Sequence, residues 1–243
     1  GPRIAKVEAL VRWAHLARGT VPPPEFISLA EETGMIVPLT RAVIEQVCSD
    51  IVHMGDALPP DFRVSVNLSG VNFMDPQLIP TIRAVLGAAQ VPPSRIEFEL
   101  TETVLMRDLD YATTTLAQLR EMDIRVAVDD FGTGYSSLAY LKRFPIDKLK
   151  IDQSFVRGIA HDASDREITA TIVAMARNLG LEVLAEGVET AEQLAFLQQL
   201  GCQFYQGYLF CKPLPAAQLQ TWIDDLPAHI ASLPACAGWH GTG

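Results

Sequence analysis

The sequence predicts an α/β fold of the (β/α)8, TIM-type barrel class, and three observations predict it. Short β-type apolar runs alternate with amphipathic helical segments almost from end to end, the pattern of a parallel sheet with helices packed outside it. The chain has 243 residues, a common size for one α/β barrel. Glu8, Glu99, Glu102, Asp129, Asp130, Glu186 and Glu189 stand in or directly after β-type runs, where barrel enzymes carry their chemistry.

The strand runs are, in order, VEALVRW, RVSVNLS, RIEFELTE, RVAVDD, DKLKID, EVLAEG and the short QFYQG. Helical punctuation lies between them. Ser164 and Glu167 have capping-box spacing, apolar residues recur at Ile168, Ile172, Met175 and Leu179, and Gly180 suits the stop. Thr190 and Gln193 repeat the start signal, and Gly201 repeats the stop. A final helix is expected around Ala216–Asp225, which gives a barrel domain over 1–225 and an irregular C-terminal extension over 226–243, rich in Ala, Gly and Pro. Seven strands are counted, whereas a (β/α)8 barrel has eight. The first strand, which would precede Arg3, is missing from the count.

Composition narrows the function classes. A content of 49% hydrophobic and 20% charged residues is that of a globular domain. No run approaches the roughly eighteen apolar residues of a membrane helix. A basic start followed by an apolar stretch is also missing, so a cytoplasmic domain is expected, without membrane insertion of its own. The net charge of −10, from 29 acidic and 19 basic residues, argues against binding long nucleic acid, which relies on a broad basic surface. Cys48, Cys202, Cys211 and Cys236 show no CxxC spacing, so reduced thiols are expected.

The pair Asp129-Asp130 poses an electrostatic problem, because two adjacent anions repel unless something positive joins them. Oxygen ligands gathered at strand ends suit hard divalent cations, which would remove that repulsion. Patterning by itself therefore stops at a metal-dependent hydrolase.

The motifs go further. VEALVRW resembles the signature of the EAL family of cyclic di-GMP phosphodiesterases, named for Glu8-Ala9-Leu10. VNLSG, ELTET, DDFGTGYSSL, KLKID, AEGVET and YQGYLFCKPLP follow in family order, covering the chain from about Lys6 to Pro215. The resemblance implies a modified (β/α)8 barrel that cuts one phosphodiester bond of cyclic di-GMP to give linear pGpG, using two divalent cations, Mg²⁺ or Mn²⁺. By residue-wise match, Glu8, Asn67, Glu99 and Asp129 resemble the ligands of one metal. Asp129 would bridge to a second, supported by Asp130, with Glu186 close by. Lys150 matches the lysine thought to orient or deprotonate the attacking water, and Glu186 is the competing base. Leu10, Arg12 and Gln206 match positions on the substrate; a planar guanidinium suits a phosphate. Glu102 matches a support for the loop after the Asp pair, a loop carrying Gly132 and Gly134. Glu189 resembles a support behind the ligands, or equally a helix-start carboxylate favoured by the dipole.

Each position has an ordinary reading when taken singly. Glu8 would be a solvent-facing strand residue, Asn67 a turn residue, Lys150 a surface charge and Arg12 a salt-bridge partner. Taken together, in family order, those readings become improbable. One departure stands out: the family's upstream strand with a Gln-Pro motif has no counterpart here, and it is the same strand missing from the count. The resemblance also implies a homodimer and upstream regulatory domains. Two rivals remain open at this point, a catalytically impaired cyclic di-GMP receptor and an interaction domain that neither binds nor cuts.

Overall fold

The computed structural model describes residues 3–133 and 141–232. All seven predicted strands are present. The sheet contains β1 (Lys6–Ala9), β4 (Arg63–Asn67), β5 (Ile96–Thr101), β6 (Arg125–Phe131), β7 (Lys148–Ile151), β8 (Glu182–Ala185) and β9 (Phe204–Tyr205), hydrogen-bonded in that order. The pairs β1–β4, β4–β5, β6–β7, β7–β8 and β8–β9 run parallel. A separate antiparallel hairpin joins β2 (Trp13–His15) to β3 (Gly19–Val21).

That hairpin was not expected. The run VEALVRW, read as one strand, divides after Ala9, and Trp13 pairs with Val21 in the second sheet. The cause is local. His15 Nδ1 accepts the backbone N–H groups of Ala17 and Arg18 at 3.1 and 3.3 Å, and Gly19 takes a left-handed φ of 70°. Together they close a turn that the hydrophobic pattern does not announce.

The chain divides into two compact units. One comprises residues 5–100 and 104–126. Its core is built by β4 and β5 with the helices Ile36–Met54, Leu78–Ala89 and Leu109–Glu121, through buried Ile44, Val66, Ile82, Phe98 and Leu116. The other comprises residues 1–4, 101–103 and 127–243. There Val128, Leu149, Ile151, Val173, Val183 and Leu194 are buried, between strands and the helices Ala163–Leu179 and Ala191–Leu200. Strands covered on both faces read as continuous apolar runs, as VAV at Val126–Val128 does.

Helix starts follow side-chain chemistry. The capping box at Thr190 and Gln193 forms, and Gly201 ends that helix at φ 80°. Ser164 is not a cap: the N-cap of the helix Ala163–Leu179 lies two residues earlier, at Asp162, whose carboxylate accepts the Ser164 N–H at 2.8 Å. A carboxylate at the positive end of a helix gains from both the hydrogen bond and the dipole, so the aspartate prevails over the nearby serine. The last long helix spans Ala216–Asp224, and Leu226–Ser232, inside the tail read as irregular, forms a further helical segment.

Cys48 and Cys202 are buried free thiols, and Cys211 is a free thiol partly open to solvent. Burial, with Glu45 nearby, pushes Cys48 up to about 11, and burial pushes Cys202 up to about 12. Cys236 lies outside the described residues.

Candidate functional site

Within the first unit, sheet register brings polar residues onto one face. Glu8 pairs with Ser65 and Ser65 with Glu97, while Asn67 pairs with Glu99 two residues further on. Aligned residues of neighbouring strands, and residues two apart along a strand, share a face. Asn67 Nδ2 accordingly donates to Glu8 Oε1 at 2.7 Å, joining two residues that were separated by 59 positions in the chain. Glu99 is almost wholly buried, and its Oε1 accepts from Lys6 Nζ at 2.8 Å. The same ammonium donates to Oε1 of Glu97 at 2.7 Å.

Lys6 and Glu97 escaped the sequence reading. The signal was present: alternation along IEFELT puts Glu97 on the face of Glu99, and Lys6 lies two residues before Glu8 on the face of Glu8. Attention to strand ends hid a charged group set deeper in the strands.

Within the second unit, the two aspartates do not alternate as strand residues should. The β6–β7 register shifts between Val128 and Phe131, and Asp130 adopts a left-handed φ of 52°. A bulge of this kind re-aims side chains that a regular strand would send to opposite faces. One oxygen from each of Asp129, Asp130 and Glu186 consequently lies within 4.8 Å of the others. Such a group of hard oxygen donors fits a divalent cation.

Lys150 supplies the positive charge that the aspartate pair demanded. It sits in β7, fully buried, with Nζ at 3.0 Å from Asp129 Oδ1 and 2.7 Å from Glu186 Oε1. It is therefore no surface charge. Partial burial, then the Asp129 charge and the hydrogen bond to Asp152, push Asp130 up to about 6, against the pull of Lys150. Asp152 is pushed up by burial, but hydrogen bonds from the Ser154 hydroxyl and backbone, from Asp130 and from the Gln153 backbone prevail and hold it below the usual range. Asp152 also starts the helix Gln153–Gly158. Sequence reading passed over it inside KLKID.

Glu186 follows β8 directly, its N–H bonded to Ile151 O at 3.1 Å. Gln206 follows β9; its N–H donates to Ala185 O at 2.9 Å and its O accepts from Val188 N at 3.0 Å. Beside it, a Cβ on Gly207 would lie 2.2 Å from Val188 O, so this close approach admits glycine alone. Glu102 opens the helix Glu102–Met106, buried, with neither carboxylate oxygen hydrogen-bonded. Glu189 is exposed and precedes the N-cap Thr190, its N–H donating to Gln193 Oε1 at 2.8 Å. Leu10 and Arg12 are exposed between β1 and β2, with the Arg12 guanidinium donating to Val11 O at 2.9 Å. Gly132 has φ 98°, and a Cβ there would meet Phe155 and Ile172 at 3.0 Å. Gly134 lies outside the described residues.

The family model described as "EAL domain" matches residues 1–213. Among curated proteins, the chain is 44% identical over 219 residues to the bifunctional diguanylate cyclase/cyclic di-GMP phosphodiesterase MucR of Pseudomonas aeruginosa, covering 90% of this chain and 32% of MucR. It is 44% identical over 220 residues to the cyclic di-GMP phosphodiesterase NbdA of the same organism, covering 90% of this chain and 28% of NbdA. The chain thus spans about a third of the length of these relatives. A solved structure described as the PaMucR phosphodiesterase in complex with c-di-GMP superposes with a TM-score of 0.84 at 43% identity, covering 87% of this chain and 86% of that one. The barrel-type α/β class expected from strand alternation is the class of this neighbour.

Proposed function

The chain belongs to the EAL domain family, and from that premise we propose that it hydrolyses one phosphodiester bond of cyclic di-GMP, yielding linear pGpG, with two divalent cations, Mg²⁺ or Mn²⁺. The observation that carries the reading is the open acidic group Asp129–Asp130–Glu186 with Lys150 buried against two of its members. Retention of every acid that the family resemblance assigns to metal adds support.

By the family resemblance, Glu8, Asn67, Glu99 and Asp129 would hold one cation, and Asp129, Asp130 and Glu186 would hold the other. When bound, such cations lower the pKa of a water and neutralise charge building on a phosphate. The chain's own groups do the rest. Lys150 and Glu186 share a 2.7 Å hydrogen bond, a path along which a proton from the attacking water can be received at Glu186 or steered by the ammonium. Arg12 clamps a phosphate, and Leu10 and Gln206 orient the dinucleotide. Glu102 supports the loop after the aspartate pair, the loop that carries Gly132 and Gly134 in sequence, and Glu189 stands behind the metal ligands. A homodimer, cytoplasmic placement and upstream regulatory domains complete the proposal; among the described residues no helix is long and apolar enough to cross a membrane.

The test is hydrolysis of cyclic di-GMP with Mg²⁺ or Mn²⁺, beside Glu8→Ala and an EDTA control. Metal-dependent pGpG lost in both controls is the expected result. Binding of intact dinucleotide without product would replace the enzyme by a receptor.

A further inference from the structure

The geometry points to Lys6 as a positioning residue for the metal-binding carboxylate of Glu99, an inference that rests on the function proposed above. Lys6 belongs to β1 and both of its glutamate partners to β5, two strands along the sheet order. Its side chain therefore reaches past β4, which carries the small Ser65 in register with Glu97. The Lys6 side chain is 7% exposed and both glutamate side chains are 0% exposed. A lysine placed so deeply needs carboxylate partners to offset its desolvation.

One ammonium facing two carboxylates does more than neutralise. Glu97 anchors it at 2.7 Å, and the anchored ammonium then holds Oε1 of Glu99 at 2.8 Å. Fixing one oxygen fixes the plane of the carboxylate, and with it the direction its second oxygen faces. Hydrogen-bonded partners behind metal-ligating groups act in this way, and losing one weakens metal affinity about 10–100-fold.

A purely neutralising role is the alternative, and the two can be separated by a charge-conserving change. In the wild type the three side chains sum to one negative charge; in the double variant Lys6→Met with Glu97→Gln, Glu99 alone carries that same single charge. Replacing a buried ion pair by neutral groups of similar volume is tolerated by folds far better than removing one partner. The double variant therefore keeps the chain folded and the local charge constant, while removing the bond from Lys6 to Glu99.

The experiment is a Mn²⁺ titration of the full chain by isothermal calorimetry, wild type beside the double variant, with far-ultraviolet circular dichroism and urea unfolding to verify the fold. The expected result is Mn²⁺ affinity weakened by about tenfold or more at one class of site. Affinity within twofold of wild type, or tighter, overturns the positioning role while the proposed function stands. A wild type that binds no Mn²⁺ overturns the function itself, and the positioning role with it.

Discussion

Lys6 and Lys150 each hold two carboxylates at hydrogen-bond distance, 2.7 and 2.8 Å for one, 3.0 and 2.7 Å for the other. Their surroundings differ. Around Lys6 both glutamate side chains are 0% exposed, whereas around Lys150 the Asp129 and Glu186 side chains keep 14% and 18% of their exposure. The backbone differs as well: Lys6 spans regular strands in unbroken register, while Lys150 faces a bulged strand with a left-handed aspartate. The same three charged groups thus serve two ends. In the function proposed above, the group sealed from water would set geometry, and the open one would stay available to a cation and to a substrate.

The largest effect expected from this contrast is on turnover. Lys150→Met should lower pGpG formation by about 10²–10⁴-fold, the range for a positioned proton-handling group, read by chromatography of the product. A variant keeping more than a tenth of wild-type activity would break the contrast. On stability the ranking should reverse. Lys6→Met alone takes the ammonium from two sealed carboxylates and should cost about 3–5 kcal/mol in urea unfolding, more than Lys150→Met does. Equal losses would mean that solvent access is not what separates the clusters.

A smaller effect concerns the cation. At a hundredfold excess over its Kd, Mn²⁺ should stabilise the wild type by about 2.7 kcal/mol, and Asp129→Asn with Asp130→Asn should abolish that gain. A thermal shift surviving in this double variant would place the ion elsewhere. The smallest change is a control. Thr190→Ala removes the cap of the helix Ala191–Leu200 and should cost about 1 kcal/mol with Mn²⁺ affinity unchanged. If affinity fell with stability, affinity losses in the other variants would reflect general loosening.

The seven strands were legible in the sequence, because parallel strands buried on both faces leave apolar runs that survive without tertiary context, as in Val126–Val128. The Thr190 and Gln193 box was legible for a similar reason: both partners lie within one turn. What escaped was set by contacts distant in sequence or by a single backbone angle. The grip of Lys6 on Glu97 spans 91 positions; alternation gives each its face but not that the two meet across β4. The bulge at Asp129–Asp130 depends on one left-handed residue, which an aspartate tolerates without advertising it. The charge argument asked for something positive beside the aspartate pair and looked to a divalent cation; the positive group the structure places against Asp129 is the Lys150 ammonium. The hairpin β2–β3 and the cap at Asp162 were missed because an imidazole acceptor closes the one and a carboxylate displaces Ser164 as cap in the other.

The thiols described above have a practical consequence for labelling. Cys48 and Cys202, buried and shifted to about 11 and about 12, are poor nucleophiles toward maleimides near neutral pH, since the thiolate is the reacting form. Partial burial raises the Cys211 thiol too, but it is partly open, and its N–H bonds Gly207 O at 3.2 Å, which ties it to the turn directly after Gln206. With Cys236 replaced by serine, a fluorophore directed to Cys211 would test the proposed binding of the dinucleotide beside Gln206, with no foreign attachment point introduced into the chain.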